Sequence, residues 1–436
     1  MTRVAALLIV FAIAPASVAQ KSETAPFPIS ADKEIAAREK SGREAVARLW
    51  LDLAAYALER EAKATAETAL QKAKASGDAS KRGEALAVKA ARLGPDAAVP
   101  AVAERESETS KRVAEHLEKL AALDVPPADE ARFEAYLFDA IALGGSTKKR
   151  IELFRKLADK AVEKGRFERA GRLFVRVRDV DPEGYETGRY ARLEIESAKR
   201  DVVLIRSKDH PMFAYVSLPK EWNDKKSWPI LVAVEGAGCN FQGACRGFRA
   251  AAAATPFIVL TPVGLTNTNA LDPALYPLYP KSLLEEWNAK RFEFDAPGLD
   301  AVLKEVRERY RGEEKISMTG FSGGGLLTYW LLLRRPEMFA AAAPACANFQ
   351  NDLRGTVTEV PGGGPPILLL VGEKDPHREK VHGKFSPGID GQTDLAEAAL
   401  KERGFTRLER RLLPGLGHDA CAAAGVAFFE KVRTGK

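Results

Sequence analysis

Lys315-Ile-Ser-Met-Thr-Gly320-Phe-Ser322-Gly-Gly324-Gly-Leu-Leu327 is the stretch on which the fold turns. Lys315 to Gly320 reads as an apolar strand and Gly323 to Leu333 as a helix, with Gly320-x-Ser322-x-Gly324 at their junction. A serine there needs glycines around it for a steric reason. The turn is so tight that neighbouring side chains must be absent, and the hydroxyl is pushed out above the sheet edge. The helix start behind it favours developing negative charge. Chance supplies such a pattern readily in a chain with 34 glycines, so its surroundings must carry the reading.

Two downstream segments supply partners. Pro366-Ile-Leu-Leu-Leu-Val-Gly-Glu-Lys-Asp375 is a buried-strand pattern that ends in an acid. Leu412-Leu-Pro-Gly-Leu-Gly-His418 is a strand followed by a glycine-bearing loop with a histidine. Both place a polar residue at the C-terminal end of a strand, where open α/β sheets hold their sites. The order Ser322, Asp375, His418 is that of the α/β-hydrolase fold. In it the imidazole takes the serine proton and the aspartate fixes the tautomer. Glu373 is the competing acid. His377 and His382 fall in the following loop, His210 in a hairpin turn, and His116 on a helix with no nucleophile near it in sequence. An oxyanion hole needs two backbone N–H donors. Gly323 supplies one, and Ala237, in the loop Val234-Glu-Gly-Ala-Gly-Cys-Asn240, supplies the other.

Further outward, strands are expected at Val202–Arg206, Met212–Leu218, Pro229–Glu235, Phe257–Thr261, Phe339–Pro344 and Arg407–Leu413, with helices between the later ones. The first pair reads as an antiparallel hairpin. The rest reads as βα units, so residues 201–436 are an α/β domain with a mostly parallel sheet covered on both faces.

The stretch from Val202 to Lys431 resembles secreted α/β-hydrolase esterases, particularly the polyhydroxybutyrate-depolymerase and feruloyl-esterase-like branch. The matching features are Phe213-Ala-Tyr-Val-Ser-Leu-Pro, the oxyanion loop, an aromatic insertion, Gly-Phe-Ser322-Gly-Gly and Gly-Leu-Gly-His418. The resemblance implies hydrolysis of a small or carbohydrate-linked carboxylic ester with no metal and no organic cofactor. One departure is Glu235, where those relatives have His before Gly. Trp287, in the aromatic stretch Leu265 to Phe294, is a candidate wall of the substrate pocket. Arg246, Arg249 and Lys281 are candidate attractors of an acidic substrate.

Residues 20–200 follow a different grammar, rich in Ala, Glu, Lys and Arg with apolar residues three and four apart. Phe154, Leu157, Ala158, Gly165, Phe167, Ala170, Phe174, Val177 and Pro182 resemble the consensus positions of a tetratricopeptide repeat, with a weaker echo at Trp50, Leu53, Ala54, Ala66 and Leu70. Such helices offer a surface for a protein partner rather than chemistry. Ahead of them, Met1-Thr-Arg, the apolar run Val4 to Ala14 and Ser17-Val-Ala19 form a signal-peptide pattern over residues 1–19. It predicts a secreted or periplasmic protein with no membrane span after cleavage. Export favours disulfides among the four cysteines, and the expected pairs are Cys239–Cys245 and Cys346–Cys421. No spacing suits a metal site. With 66 basic against 60 acidic residues, net charge +6, nothing points to nucleic acid.

Two rivals to the esterase reading are a peptidase of the prolyl-oligopeptidase kind, with the same triad order, and an inactive exported scaffold. The helical front half, in place of a propeller, speaks against the first. The intact Ser322, Asp375 and His418 speak against the second.

Overall fold

The computed structural model describes residues 33–60, 62–77, 80–91, 100–123, 136, 140, 143, 147–180, 184–185, 188–268, 270–355, 360–379 and 387–435. The signal-peptide segment lies outside these residues, as do Pro182 and His382. The chain forms two compact units, one ending at Ser146 and one beginning at Thr147. The change of sequence grammar at Arg200 therefore does not coincide with the boundary between the units. Among the described residues no helix is long and apolar enough to cross a membrane.

In the first unit, α1 (Lys33–Leu58) packs with α2 (Lys63–Ala75), α3 (Lys81–Ala90) and α4 (Pro100–Ala121). Alanines at the contacts allow close approach: Ala54, Ala57, Ala66 and Ala73 have no exposed surface. Gly42 of α1 abuts α4 so closely that a Cβ there would meet the Leu120 side chain at 2.6 Å.

The second unit opens with α5 (Thr147–Glu163), α6 (Phe167–Val180) and α7 (Arg189–Arg200). Gly165, at φ +67°, turns the chain between α5 and α6. Phe154, Leu157, Ala158, Ala170, Phe174 and Val177 are buried, so the apolar periodicity marks the packed faces. This hairpin is seated on the sheet through α6. Gly171 lies where a Cβ would come within 2.5 Å of the Leu204 backbone nitrogen. Charges complete the docking. Buried Glu194 accepts hydrogen bonds from Tyr185, Arg309 and Tyr310, and Arg178 pairs with Glu305 at 3.1 Å.

The sheet has eight strands: β1 (Val203–Arg206), β2 (Phe213–Ser217), β3 (Trp228–Val234), β4 (Ile258–Pro262), β5 (Gly312–Gly320), β6 (Phe339–Ala342), β7 (Ile367–Gly372) and β8 (Leu408–Leu413). Their order is β1-β2-β4-β3-β5-β6-β7-β8. β2 runs antiparallel to β1 and β4, and every other neighbouring pair is parallel. This is the expected α/β-hydrolase fold, with each strand found within a few residues of its expected segment. Interior strands β3 and β7 are buried along their whole length, as a sheet covered on both faces requires. β8 is the far edge, and its four middle residues are exposed.

Helices α8 (Phe241–Ala251), α9 (Lys281–Trp287), α10 (Arg291–Tyr310), α11 (Gly325–Arg334), α12 (Ile389–Glu402) and α13 (Ala422–Thr434) complete the unit. The sequence gives no sign of α9, a helix of seven residues inside the aromatic insertion. Pro297 reads from the sequence as a first helical turn, with a helix expected over Pro297–Tyr310; the structure starts α10 earlier, at Arg291. The real first turn lies before the proline. It is held by Arg291, which donates to Leu265 O and Thr268 O, and by Asp295, which accepts from Leu265 and Thr266.

Candidate active site

Strand register sends the candidate-bearing loops out in two pairs. Val234 of β3 pairs with Gly320 of β5, so the next residues, Glu235-Gly236 and Phe321-Ser322, leave the sheet side by side. A Cβ on Gly236 would lie 3.1 Å from Ser322 Cβ. Gly372 of β7 pairs with Leu413 of β8, which sends the loops bearing Asp375 and His418 out in parallel.

Ser322 sits at φ +49°, a left-handed conformation that a serine adopts only under constraint. Glycine is required on both sides. A Cβ on Gly320 would meet Gly324 O at 2.4 Å, and one on Gly324 would meet Val234 O at 2.4 Å. The Ser322 N–H donates to Ala345 O, and Ser322 O accepts from Asn348 N–H, so the segment after β6 grips the turn.

His418 Nδ1 lies 2.7 Å from Asp375 Oδ2, whose side chain is fully buried. Asp375 Oδ1 accepts the His377 N–H at 2.8 Å. Burial alone would raise the Asp375 pKa, but the bonds from His418 and His377 and the His418 charge outweigh it and the net shift is downward. Burial likewise opposes charge on His418. Its bonds to Cys346 and Asp375 prevail, and its pKa rises above 6.5. The His418 ring lies 4.8 Å from Phe321, next to the nucleophile candidate, and 4.9 Å from His377 in edge-on contact. Glu373 does not reach the imidazole. It is exposed, and its carboxylate accepts the Gly415 N–H at 2.8 Å, bracing the histidine loop.

Cys346, which the sequence offers only as a disulfide candidate, joins this cluster from the segment after β6, a strand that supplies none of the three triad candidates. The donor and acceptor atoms of Cys346, Asp375 and His418 all lie within 4.8 Å of one another. All four cysteines are free thiols, which corrects the expected pairing. Cys239 lies in the oxyanion loop with Sγ near Ala237 O, whereas Cys245 faces the sheet near Tyr215 O and Val259 O. Four residues of helix turn the two thiols toward different surroundings. Cys346 and Cys421 do meet, but through a hydrogen bond that draws the Cys346 pKa down and the Cys421 pKa up.

In the oxyanion loop, Gly236 O accepts the Cys239 N–H at 3.1 Å, closing a turn around Ala237. No backbone acceptor among the described residues takes the Ala237 N–H. Glu235 is half-buried and accepts the N–H groups of Gly236 and Asn240. Burial nevertheless pushes its pKa up, so this carboxylate folds its own loop.

The remaining candidates have these partners. Trp287 packs on Phe294 at 5.6 Å, in an aromatic cluster with Tyr279 and His210. Tyr276 and Tyr279 are buried, so this insertion packs its tyrosines inward. Arg246 pairs with Asp201 at 2.6 Å, Arg249 donates to Lys199 O and Arg200 O, and Lys281 pairs with Glu285. These cations are engaged in structure. His116 lies on α4 of the other unit.

The prolyl oligopeptidase family matches residues 297–362. No curated protein matches the chain. Solved structures similar to it include a thermostable esterase, 20% identical at TM-score 0.35, with 53% of this chain and 61% of that chain covered. The chain thus spans less than two thirds of that esterase. Poly(aspartic acid) hydrolase-1 from Sphingomonas sp. KT-1 is 15% identical at TM-score 0.40, with 53% and 98% covered. The poly(3-hydroxybutyrate) depolymerase LpqC from Bordetella parapertussis is 18% identical at TM-score 0.38, with 54% and 90% covered.

Proposed function

We propose that this serine hydrolase of the α/β class cleaves carboxylic esters through an acyl-enzyme on Ser322. The observation that carries the reading is the 2.7 Å contact of His418 with buried Asp375, on loops that flank a serine held at positive φ. His418 takes the proton of Ser322 as Oγ attacks the ester carbonyl carbon. The oxyanion that forms faces the Ala237 and Gly323 N–H groups. Collapse breaks the bond to the alcohol, which leaves with the proton from His418. Water then repeats the sequence and releases the acid. Asp375 holds the imidazole tautomer and stabilises its cation. The resemblance to secreted esterases supports an ester as substrate, and the N-terminal apolar run supports export. The helices ahead of the sheet then present a surface for a partner.

The match to the prolyl oligopeptidase family at residues 297–362 favours a second reading, a peptidase with the same triad.

Fluorophosphonate labelling of the full chain beside Ser322→Ala, with short-acyl p-nitrophenyl esters and dipeptide anilides as substrates, separates these readings. Ester turnover and labelling lost in the variant are expected. Anilide cleavage without ester preference points to the peptidase, and absence of labelling removes both. The pH profile adds an independent check. His418 acts as a base only when neutral, and its pKa lies above 6.5. Activity should therefore fall as pH drops through a midpoint above that value.

A further inference from the structure

We propose that Asn267 is a positioning residue that ties together the two loops supplying the oxyanion donors, an inference that rests on the serine-hydrolase reading above. Asn267 lies beyond the end of β4 and is 1% exposed. Its Nδ2 donates to Gly236 O at 2.8 Å, one residue before Ala237. Its Oδ1 accepts the Tyr276 O–H at 2.7 Å. Gly236 O can only accept, so the amide end that faces the oxyanion loop must be the N–H end, and the Tyr276 hydroxyl donates to the oxygen left on the other side. On its other side, the Asn267 backbone lies over Gly323. A Cβ on Gly323 would come within 2.0 Å of Asn267 O. One buried residue therefore contacts the neighbour of one donor and the residue that bears the other.

The segment leading into Asn267 is itself held. Asp295, fully buried, accepts Leu265 N–H at 2.7 Å, Thr266 N–H at 2.8 Å and Thr266 Oγ1–H at 2.6 Å. Arg291 binds Thr268 O just beyond. Asn267 thus stands on a segment braced from both sides by the first turns of α10. Oxyanion donors act by being in place before charge develops, so a residue that fixes their spacing acts on the transition state rather than on ground-state binding.

The test uses the full chain and Asn267→Ala, Asn267→Asp and Tyr276→Phe. Asn267→Ala should lower kcat/KM for a p-nitrophenyl ester by about 10²-fold, the scale of a misplaced catalytic group, with KM nearly unchanged. Affinity for a boronic acid, which bonds to serine Oγ and places an oxygen in the oxyanion site, should fall by a similar factor. Asn267→Asp keeps the shape but loses the donor, and should resemble Ala. Tyr276→Phe unlocks the amide and should give a smaller loss in both readouts. A folded Asn267→Ala protein with wild-type kcat/KM and boronate affinity, or with a loss confined to KM, overturns the assignment. If that variant does not fold, unchanged boronate affinity in Tyr276→Phe overturns it instead. A wild-type chain inert to fluorophosphonate and esters sinks the serine-hydrolase reading and this one with it. An active wild type with indifferent variants sinks only this one.

Discussion

Residues 33–121 and 147–200 share one vocabulary of Ala, Glu, Lys and Arg helices, yet they are held by different means. The first set makes its own core, in which fully buried alanines let α1 and α2 approach. The second set has Val175 and Ala198 inside the core of the sheet and buries charge against it. Helical periodicity reports which face is covered and says nothing about what covers it. In α5 to α7 the answer lies in Glu194 and Arg178, whose partners Arg309, Tyr310 and Glu305 are more than a hundred residues away.

Truncation should break this contrast most severely. A chain beginning at Thr147 is expected to fold and keep wild-type ester kcat/KM. One beginning at Asp201 uncovers β1 and strands Arg309 and Glu305, and should aggregate. Size-exclusion chromatography and circular dichroism decide this, and a well-folded shorter chain would refute the docking account. Glu194→Ala leaves Arg309 without its closest carboxylate and should cost the second unit about 3–5 kcal/mol in urea unfolding. Leu53→Ala, in the core of the first unit, should cost about 2–5 kcal/mol. It should leave ester turnover untouched, and a drop in kcat/KM would show that the two units are coupled. Gly171→Ala forces a Cβ against the Leu204 backbone and should cost about 1–3 kcal/mol, read in the second unit alone.

Much of the sheet was legible because β2, β3, β4 and β7 are compact apolar runs, and because the triad candidates follow strand ends. Asp375 and His418 needed only the pairing of β7 with β8 to be brought into contact. The residues around them were not legible. Cys346 reaches His418 from a strand with no motif, and Asn267 sits in a Thr-Asn-Thr-Asn stretch that reads as an ordinary loop. The expected Cys239–Cys245 bridge came from loop proximity in sequence, which cannot reveal that Cys245 faces the sheet from α8.

The edge position of β8 has a dynamic consequence. Its backbone ladder runs to β7 alone, and its middle residues meet solvent, so its amides should exchange with deuterium sooner than those of β5, which is flanked by β3 and β6. Ser322 is thus mounted on the stiff centre of the sheet and His418 on its pliant border. In the acyl-enzyme scheme the imidazole must hand its proton first to the departing alcohol and later to Ser322 Oγ. A border that yields locally gives the ring that freedom while the serine stays still.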